Sequence, residues 1–249
     1  MSNAPVTRRQ RLRDATAEEI KSVARTLMAR DGSSSLNLRA VAREMGMTAS
    51  ALYRYFPSRD AILTALITDA YDAVGEAVEQ AVAAAPEDGT ATAMLAGVHA
   101  FRRWAVDHPQ EYGLIYGTPV PGYEAPEEET KEAAMRTNFA LLGLLARGLR
   151  EGLITLPNQD RLPPEVSAVL TDMADAEHKA QLGLAPEVWA LAMQFWVVLL
   201  GSISAEVFGH LPPTLGRGAG AFFDFTMRRA LAVVGVRQAA IDAAVSPPG

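Results

Sequence analysis

The 249-residue sequence contains no cysteine, which excludes disulfide bonds and metal sites built on thiolates. It also lacks the alternation of β-branched and polar residues that is typical of strands, whereas alanine, leucine, glutamate and arginine are abundant. We therefore expect an all-α fold of about nine to ten helices. A chain without cysteine suits a reducing compartment, and we expect a cytoplasmic protein.

Long apolar runs are scarce. Arginines near the amino terminus are not followed by an apolar segment, so we do not expect a signal peptide. The most apolar stretch, 188–208, contains Glu206 and directly follows Glu187. It predicts a helix buried on all sides and not a membrane span, and we expect no membrane partner.

Sequence patterns that carry enzyme chemistry are absent too. No Ser/His/Asp grouping, Walker loop or GxGxxG turn is visible, and the four histidines lack the spacing of metal ligands. We expect no catalytic residue, no metal and no cofactor.

Charge is distributed unevenly along the chain. Residues 1–60 contain 11 Lys and Arg against 6 Asp and Glu, whereas residues 61–249 contain 12 against 23, within a net charge of −6. A basic head on an acidic body predicts that only the head approaches a polyanion such as DNA.

Helix signals begin close to the amino terminus. Thr16 and Glu19 form a capping box, so we expect residues 1–15 to be a flexible basic arm and the first helix to start at Thr16. Asn37 can cap a second helix, Thr48 a third that runs to Phe56, and Ser58 a fourth.

The segment Leu38–Phe56, LRAVAREMGMTASALYRYF, has the pattern of two short helices joined by a turn. Ala42 is small enough for a helix crossing, and Gly46 can adopt the positive φ of the turn. Met47, Leu52 and Phe56 can fix the third helix on the second. The opposite face of the third helix keeps short polar groups, a tyrosine and an arginine, which can enter a DNA major groove.

This segment resembles the DNA-binding domain of the TetR/AcrR family of transcriptional regulators. The similarity lies in Leu52-Tyr53-Arg54-Tyr55-Phe56 followed by Pro57-Ser58-Arg59, where the family usually has lysine at position 59. The resemblance implies a three-helix helix-turn-helix domain over residues 16–60. The DNA-binding residues that it implies are Arg39, Thr48, Ala49, Ser50, Tyr53, Arg54, Tyr55 and Arg59. Tyr55 could equally belong to the hydrophobic core.

The region 99–123 resembles a carboxy-terminal type called the WHG domain, through Trp104-Ala105, His108-Pro109 and Tyr112. Leu200 stands where the histidine that gives the domain its name is expected. The resemblance implies a larger helical regulatory and dimerisation domain over residues 61–236. The chain ends in Ser246-Pro247-Pro248-Gly249, a composition that predicts a disordered tail over residues 237–249. Aromatic and methionine residues predicted to surround a small hydrophobic effector are Phe101, Trp104, Tyr112, Tyr116, Met135, Phe139, Met173, Trp189 and Met193. The alternative for each of them is the hydrophobic core, which aromatic and methionine residues at helical spacing fill more often than they line a ligand site.

In this family the last two long helices pair two copies of the chain, and the helices near 187–209 and 215–235 carry the small and apolar residues that such packing needs. We therefore expect a homodimeric repressor that binds a palindromic operator in double-stranded DNA and is released by the effector. The sequence leaves two alternatives open. One is a transcriptional activator, and the other is a helical enzyme or small-molecule-binding protein with a vestigial DNA-binding head.

Overall fold

The computed structural model describes residues 7–32, 36–87, 89–156, 162–175 and 184–244. This part of the chain forms eleven α-helices, so the expected all-α fold is confirmed. The helices are α1 Arg8–Asp31, α2 Leu38–Glu44, α3 Ala49–Leu52, α4 Arg59–Ala83, α5 Thr90–Asp107, α6 Pro109–Tyr116, α7 Glu127–Arg150, α8 Pro164–Asp175, α9 Pro186–Val207, α10 Ala219–Val233 and α11 Gln238–Ala243.

The chain divides into two compact units. The first comprises residues 1–72 and 108–134, and the second comprises residues 73–107 and 135–249. The unit that contains the helix-turn-helix therefore extends beyond the expected 16–60. In its core, Val120 from the segment between α6 and α7 joins the buried residues of α1 to α4.

Helix α1 begins eight residues earlier than expected, and the prediction of a flexible arm is wrong for residues 8–15. Thr7 caps the helix because its hydroxyl accepts a hydrogen bond from the Gln10 backbone N–H at 3.2 Å. The residues that follow are mostly arginine, glutamine and leucine, which are good helix formers. Thr16 lies inside the helix, where its hydroxyl donates to the Leu12 carbonyl.

In the second unit, α9 packs against α5, α8 and α10. Leu199 and Ile203 are fully buried, but Val197 is 66% exposed in the single chain. The prediction of a helix buried on all sides is therefore wrong, since one apolar face has no covering element within the described residues. Helix α9 is long and apolar enough to cross a bilayer, a property that the core helices of water-soluble proteins share.

The carboxy-terminal segment 237–244 is helical in α11, so the prediction of a disordered tail is wrong for these residues; residues 245–249 lie outside the described part. Ile241 is buried, and the Arg228 guanidinium donates to the carbonyls of Ile241 and Ala244. An antiparallel β-bridge joins Ile154 to Val236 just before this helix. Burial and hydrogen bonds to a neighbouring helix hold the segment in place.

Candidate DNA-binding interface and ligand cavity

The turn between α2 and α3 has the geometry that the sequence predicts. Asn37 accepts a hydrogen bond from the Arg39 backbone N–H at 2.9 Å, and Thr48 accepts one from Ala51 at 3.3 Å. Gly46 has a φ of 63°, a conformation that residues with a Cβ rarely adopt. These three predictions are confirmed, and so is the cap on α4, where Ser58 accepts from the Ala61 N–H.

Helix α3 is shorter than expected. It ends at Leu52, and the predicted continuation to Phe56 is replaced by turns in which Tyr55 and Phe56 both donate to the Leu52 carbonyl. Leu52 and Phe56 are buried in the core of the first unit, as expected, whereas Met47 is half-buried. Pro57 follows directly and disfavours helical backbone at Phe56.

The face of this segment opposite Leu52 is exposed and polar. Tyr53 is 47% exposed, and Arg54 beside it is exposed as well. The hydroxyls of Thr48 and Ser50 lie 3.1 Å apart at the start of α3, and Ala49 between them is half-buried. Such a face offers hydroxyl, phenol and guanidinium groups to a DNA groove.

Three predicted DNA-binding residues lie in different surroundings. Arg39, at the start of α2, is exposed. Arg59 is half-buried, and its Nε donates to the Leu36 carbonyl at 3.2 Å, so part of its hydrogen-bonding capacity is used within the protein. Tyr55 is half-buried against the core of the first unit, which is compatible with a packing role as well as with a DNA contact.

An ion cluster that sequence analysis missed joins α1 to α4. Lys21 Nζ lies 2.6 Å from Asp69, and Arg25 lies 2.7 Å from the same carboxylate oxygen. Burial alone would lower the pKa of Lys21, but hydrogen bonds to Asp69 and Glu18 outweigh it and raise the pKa. No spacing rule relates residues so far apart in the chain, so the sequence offers no signal for this cluster.

The second unit contains a partly open cavity of about 320 Å³, a size typical of small-molecule sites. Among the described residues that line it, none is charged, and Asn138 is polar. The other lining residues are apolar or aromatic: Met94, Val98, Met135, Leu141, Leu142, Leu145, Trp189, Ala192, Met193, Phe195, Trp196, Leu231 and Val234.

Only part of the predicted ligand set lies at this cavity. Met135, Trp189 and Met193 line it. Phe101, Trp104 and Phe139 belong to the second unit but do not line it, because Phe101 and Trp104 face the core and are buried there. Tyr112 and Tyr116 belong to the first unit, where their rings pack against each other, and the Met173 side chain lies outside the described residues. The type of a residue alone therefore does not tell whether it lines the cavity or fills the hydrophobic core.

Several of the missed lining residues follow one helical stripe. On α7, the cavity is lined by Met135, Asn138, Leu141, Leu142 and Leu145, which recur at intervals of three and four residues. This periodicity was visible in the sequence, but an apolar stripe indicates burial and does not tell a cavity from a filled core.

A buried polar network lies elsewhere in the second unit. The His99 Nε2 and Asp224 Oδ1 atoms are 2.9 Å apart, and the Arg228 Nε donates to the other Asp224 oxygen at 2.7 Å. Burial lowers the pKa of His99, and the hydrogen bond with Asp224 opposes this effect without cancelling it. Arg102 on α5 donates two hydrogen bonds to the carboxylate of Glu206 on α9.

Comparison with known proteins identifies the fold. A family model described as bacterial regulatory proteins, tetR family, matches residues 20–66, and another described as tetracyclin repressor-like, C-terminal domain, matches residues 94–230. The chain is 33% identical over 229 residues to the HTH-type transcriptional regulator Rv1816 of Mycobacterium tuberculosis, and the match covers 92% of this chain and 96% of that protein. The chain belongs to the TetR family of transcriptional regulators.

Solved structures of similar proteins agree with this assignment. The TetR-family chain matches the regulatory protein SCO4313 with a TM-score of 0.70 and 32% identity, over 91% of this chain and 100% of that one. It also matches RolR, whose structure was solved in complex with resorcinol, with a TM-score of 0.50 and 19% identity over 96% and 97% of the two chains. The expected family, helix-turn-helix and DNA-binding class are thus confirmed.

Proposed function

We propose that this TetR-family protein is a ligand-released repressor that acts in the cytoplasm as a homodimer on a palindromic operator. The observation that supports release by a ligand is the uncharged cavity of about 320 Å³, which lies in the unit that lacks the helix-turn-helix. Helix α4 runs unbroken from Arg59 beside the helix-turn-helix to Ala83 in the other unit, and a continuous helix can transmit a shift.

The proposed base-reading residues are the exposed groups of α3 and the turn after it, Thr48, Ser50, Tyr53 and Arg54, with Ala49 available for a thymine methyl. Arg39 and Arg59 are proposed to contact phosphates. One such segment reads only a few base pairs, so a specific operator needs two copies about one helical turn of DNA apart.

Exposed apolar side chains support dimerisation through α9 and α10. Val197 and Val198 on α9 and Phe222, Phe225 and Val233 on α10 are exposed in the single chain. The two helices pack against each other, and large apolar side chains exposed on neighbouring helices are typical of an interface. A second copy of the chain is the proposed partner for this surface.

The chemistry of the cavity lining limits the class of effector that can bind. Since its lining carries no charge, an ionised ligand would lose its hydration without gaining an ion pair. A neutral and mainly apolar molecule with one hydrogen-bonding group for Asn138 fits the lining best. Resorcinol, the ligand in the RolR structure, is likewise small, neutral and aromatic, although it carries two hydroxyl groups.

The carboxy-terminal domain is proposed to be of the WHG type. Trp104, one of the residues in the similarity, is buried, and Pro109 is the first residue of α6. Proline is well suited to that position because its missing N–H is not needed there. The substitution at Leu200 leaves the rest of the pattern in place.

Binding to DNA is tested by fluorescence anisotropy with duplexes that tile the region upstream of the protein's own gene. We expect saturable binding to a palindrome at about 50–100 mM salt, where phosphate contacts are strong. In a reporter strain, deletion of the gene should raise transcription from that operator. A fall in transcription would instead make the protein an activator.

The effector class is tested with two fluorescent probes, neutral N-phenyl-1-naphthylamine and anionic 8-anilinonaphthalene-1-sulfonate. We expect the neutral probe to bind and to displace operator DNA, and Ala192→Phe, which fills part of the cavity, to abolish its binding. Val166→Phe is the matched control because Val166 is exposed and does not line the cavity. Preference for the anionic probe, or equal loss in both variants, would contradict the assignment.

A further inference from the structure

The first two turns of α1 and the segment after α3 form a groove in the first unit, here called the α1 groove. Its lining residues are Thr7, Arg8, Arg9, Gln10, Leu12, Arg13, Thr16, Arg54 and Tyr55. The groove exists because residues 8–15 are helical. Arg54 and Tyr55 belong to the segment proposed to read DNA, so the groove adjoins that segment directly.

The α1 groove is strongly basic. Arg8, Arg9, Arg13 and Arg54 are exposed, and none of them forms an ion pair among the described residues, whereas the groove lining includes no acidic side chain. The first turn of α1 also has no acidic residue. The arginines repel one another, and they also lie next to the positive end of the helix dipole, where cations are unfavourable. An anion bound in the groove would reduce both kinds of repulsion.

The dimensions favour a strand of nucleic acid over a single small anion. From Arg8 to Thr16 the helix axis rises by about 12 Å. Successive phosphates of one strand advance by about 3.4 Å along B-DNA, so this segment spans about three of them. Several separate guanidiniums along one groove suit such a row of charges.

The helical register places Arg9 and Arg13 on one face of α1 and Arg11 on the opposite face. Arg9, Leu12, Arg13 and Thr16 are spaced by three and four residues and share the face that lines the groove. Arg11 lies on the same two turns but does not line the groove, because it is about 200° around the helix from Arg9. Arg11 therefore has the same charge as Arg9 and Arg13 and lies on the same helix, but on a different face.

We propose that the α1 groove binds the phosphate backbone of DNA beside the bases read by the α3 segment. The inference rests on the proposed DNA-binding function and extends it to a site outside the helix-turn-helix. A helix presents the arginines already ordered, so less conformational entropy is lost on binding than with a flexible arm. The contact is to phosphates, so it adds affinity without adding sequence preference.

The test measures binding of the full chain to two fluorescent duplexes, the operator palindrome and a scrambled duplex of equal length, over a series of salt concentrations. The variants are Arg9→Gln, Arg13→Gln and the double variant, with Arg11→Gln as the matched control. Glutamine and arginine have similar helix propensities, and circular dichroism confirms that α1 is retained.

Because each dimer carries two copies of the groove, each single groove variant should reduce the slope of log affinity against log salt by about 1.8, which corresponds to about a twelvefold smaller loss of affinity between about 50 and 200 mM salt. The loss of affinity should be equal on both duplexes, and Arg11→Gln should leave the slope unchanged. These results would support the groove as a phosphate site.

Three results would overturn the proposal. If Arg11→Gln has the same effect, the arginines act through long-range charge and not through the groove. If the groove variants keep the wild-type slope, the groove does not contact phosphates, although wild-type operator binding would still support the proposed function. If wild-type protein binds neither duplex, both proposals fail.

Discussion

The ammonium nitrogen of Lys21 on α1 lies 2.6 Å from a carboxylate oxygen of Asp69 on α4. Lys21 is only 8% exposed, so its charge depends on this partner and on Glu18. Arg25 binds the same oxygen of Asp69. This carboxylate therefore connects the first helix of the helix-turn-helix unit to the fourth.

Replacement of Asp69 by Asn should destabilise the first unit by about 1–2 kcal/mol, because a nearly buried ammonium loses its main partner while solvent near Asp69 softens the loss. The free energy of unfolding in urea measures the effect. Glu18→Gln is the control, since Glu18 is the exposed partner and its removal should cost less than about 0.5 kcal/mol. Equal losses would show that Asp69 is not the dominant partner.

Substitutions of Tyr53 and Tyr55 should have different effects, the first on operator affinity and the second on the free energy of unfolding. We expect Tyr53→Ala to weaken operator binding by at least about tenfold with an unfolding free energy within about 0.5 kcal/mol of wild type, because the side chain is half exposed. Tyr55→Ala should lower the unfolding free energy measurably, since this ring packs against the core. Anisotropy and urea unfolding provide the two readouts. Unchanged operator affinity in Tyr53→Ala would refute its proposed role.

The second unit should lose stability as the pH falls below the ordinary histidine range. Burial lowers the pKa of His99 below 6.5, despite the hydrogen bond with Asp224, and Arg102 and Arg103 act in the same direction as burial. The unfolded chain then binds a proton that the folded chain does not, so stability is full above pH 6.5 and declines as the pH falls through 6.5 towards the folded pKa. The slope for one proton is at most about 1.4 kcal/mol per pH unit.

Urea unfolding at fixed protein concentration between about pH 7.5 and 5.5 measures this decline, in a range above the titration of the carboxylates. His99→Gln should remove it, since glutamine can still donate to Asp224. His210→Gln should retain it, because His210 is exposed. A wild-type slope in His99→Gln would assign the effect to another group.

Two exposed valines test the proposed dimer. Val197 on α9 is 66% exposed and Val169 on α8 is 58% exposed, so they differ in position more than in accessibility. Val197→Lys should shift the mass measured by sedimentation from dimer to monomer, because a lysine in an apolar interface loses hydration without gaining a partner. Val169→Lys should remain dimeric. A dimeric Val197→Lys would place the interface elsewhere.

The helix-turn-helix could be predicted closely because its signals are local. Asn37 and Thr48 cap helices through backbone groups only two or three residues away, and Gly46 makes its turn with its immediate neighbours. The start of α1 shows the limit of such signals. Thr7 and Thr16 are both plausible caps, and the structure uses Thr7.

The ligand residues could be predicted only in part because a cavity is a property of packing. Met135, Trp189 and Met193 line the cavity, while Phe101 and Trp104 are equally apolar and fill the core. A large side chain lines a void or fills a core according to what the neighbouring helices leave beside it. That information is spread over α5, α7, α9 and α10 and appears in no single segment.

The sequence by itself determined the helical class, the caps of α2, α3 and α4, the turn at Gly46 and the family, since these depend on residues close together in the chain. Tertiary structure alone decided that Lys21 meets Asp69, that α9 leaves an apolar face uncovered, and that the arginines of α1 share a groove with Arg54. Hydrogen bonds within a helix connect residues three or four positions apart, whereas ion pairs, cavities and exposed faces depend on which distant helices the hydrophobic core brings together.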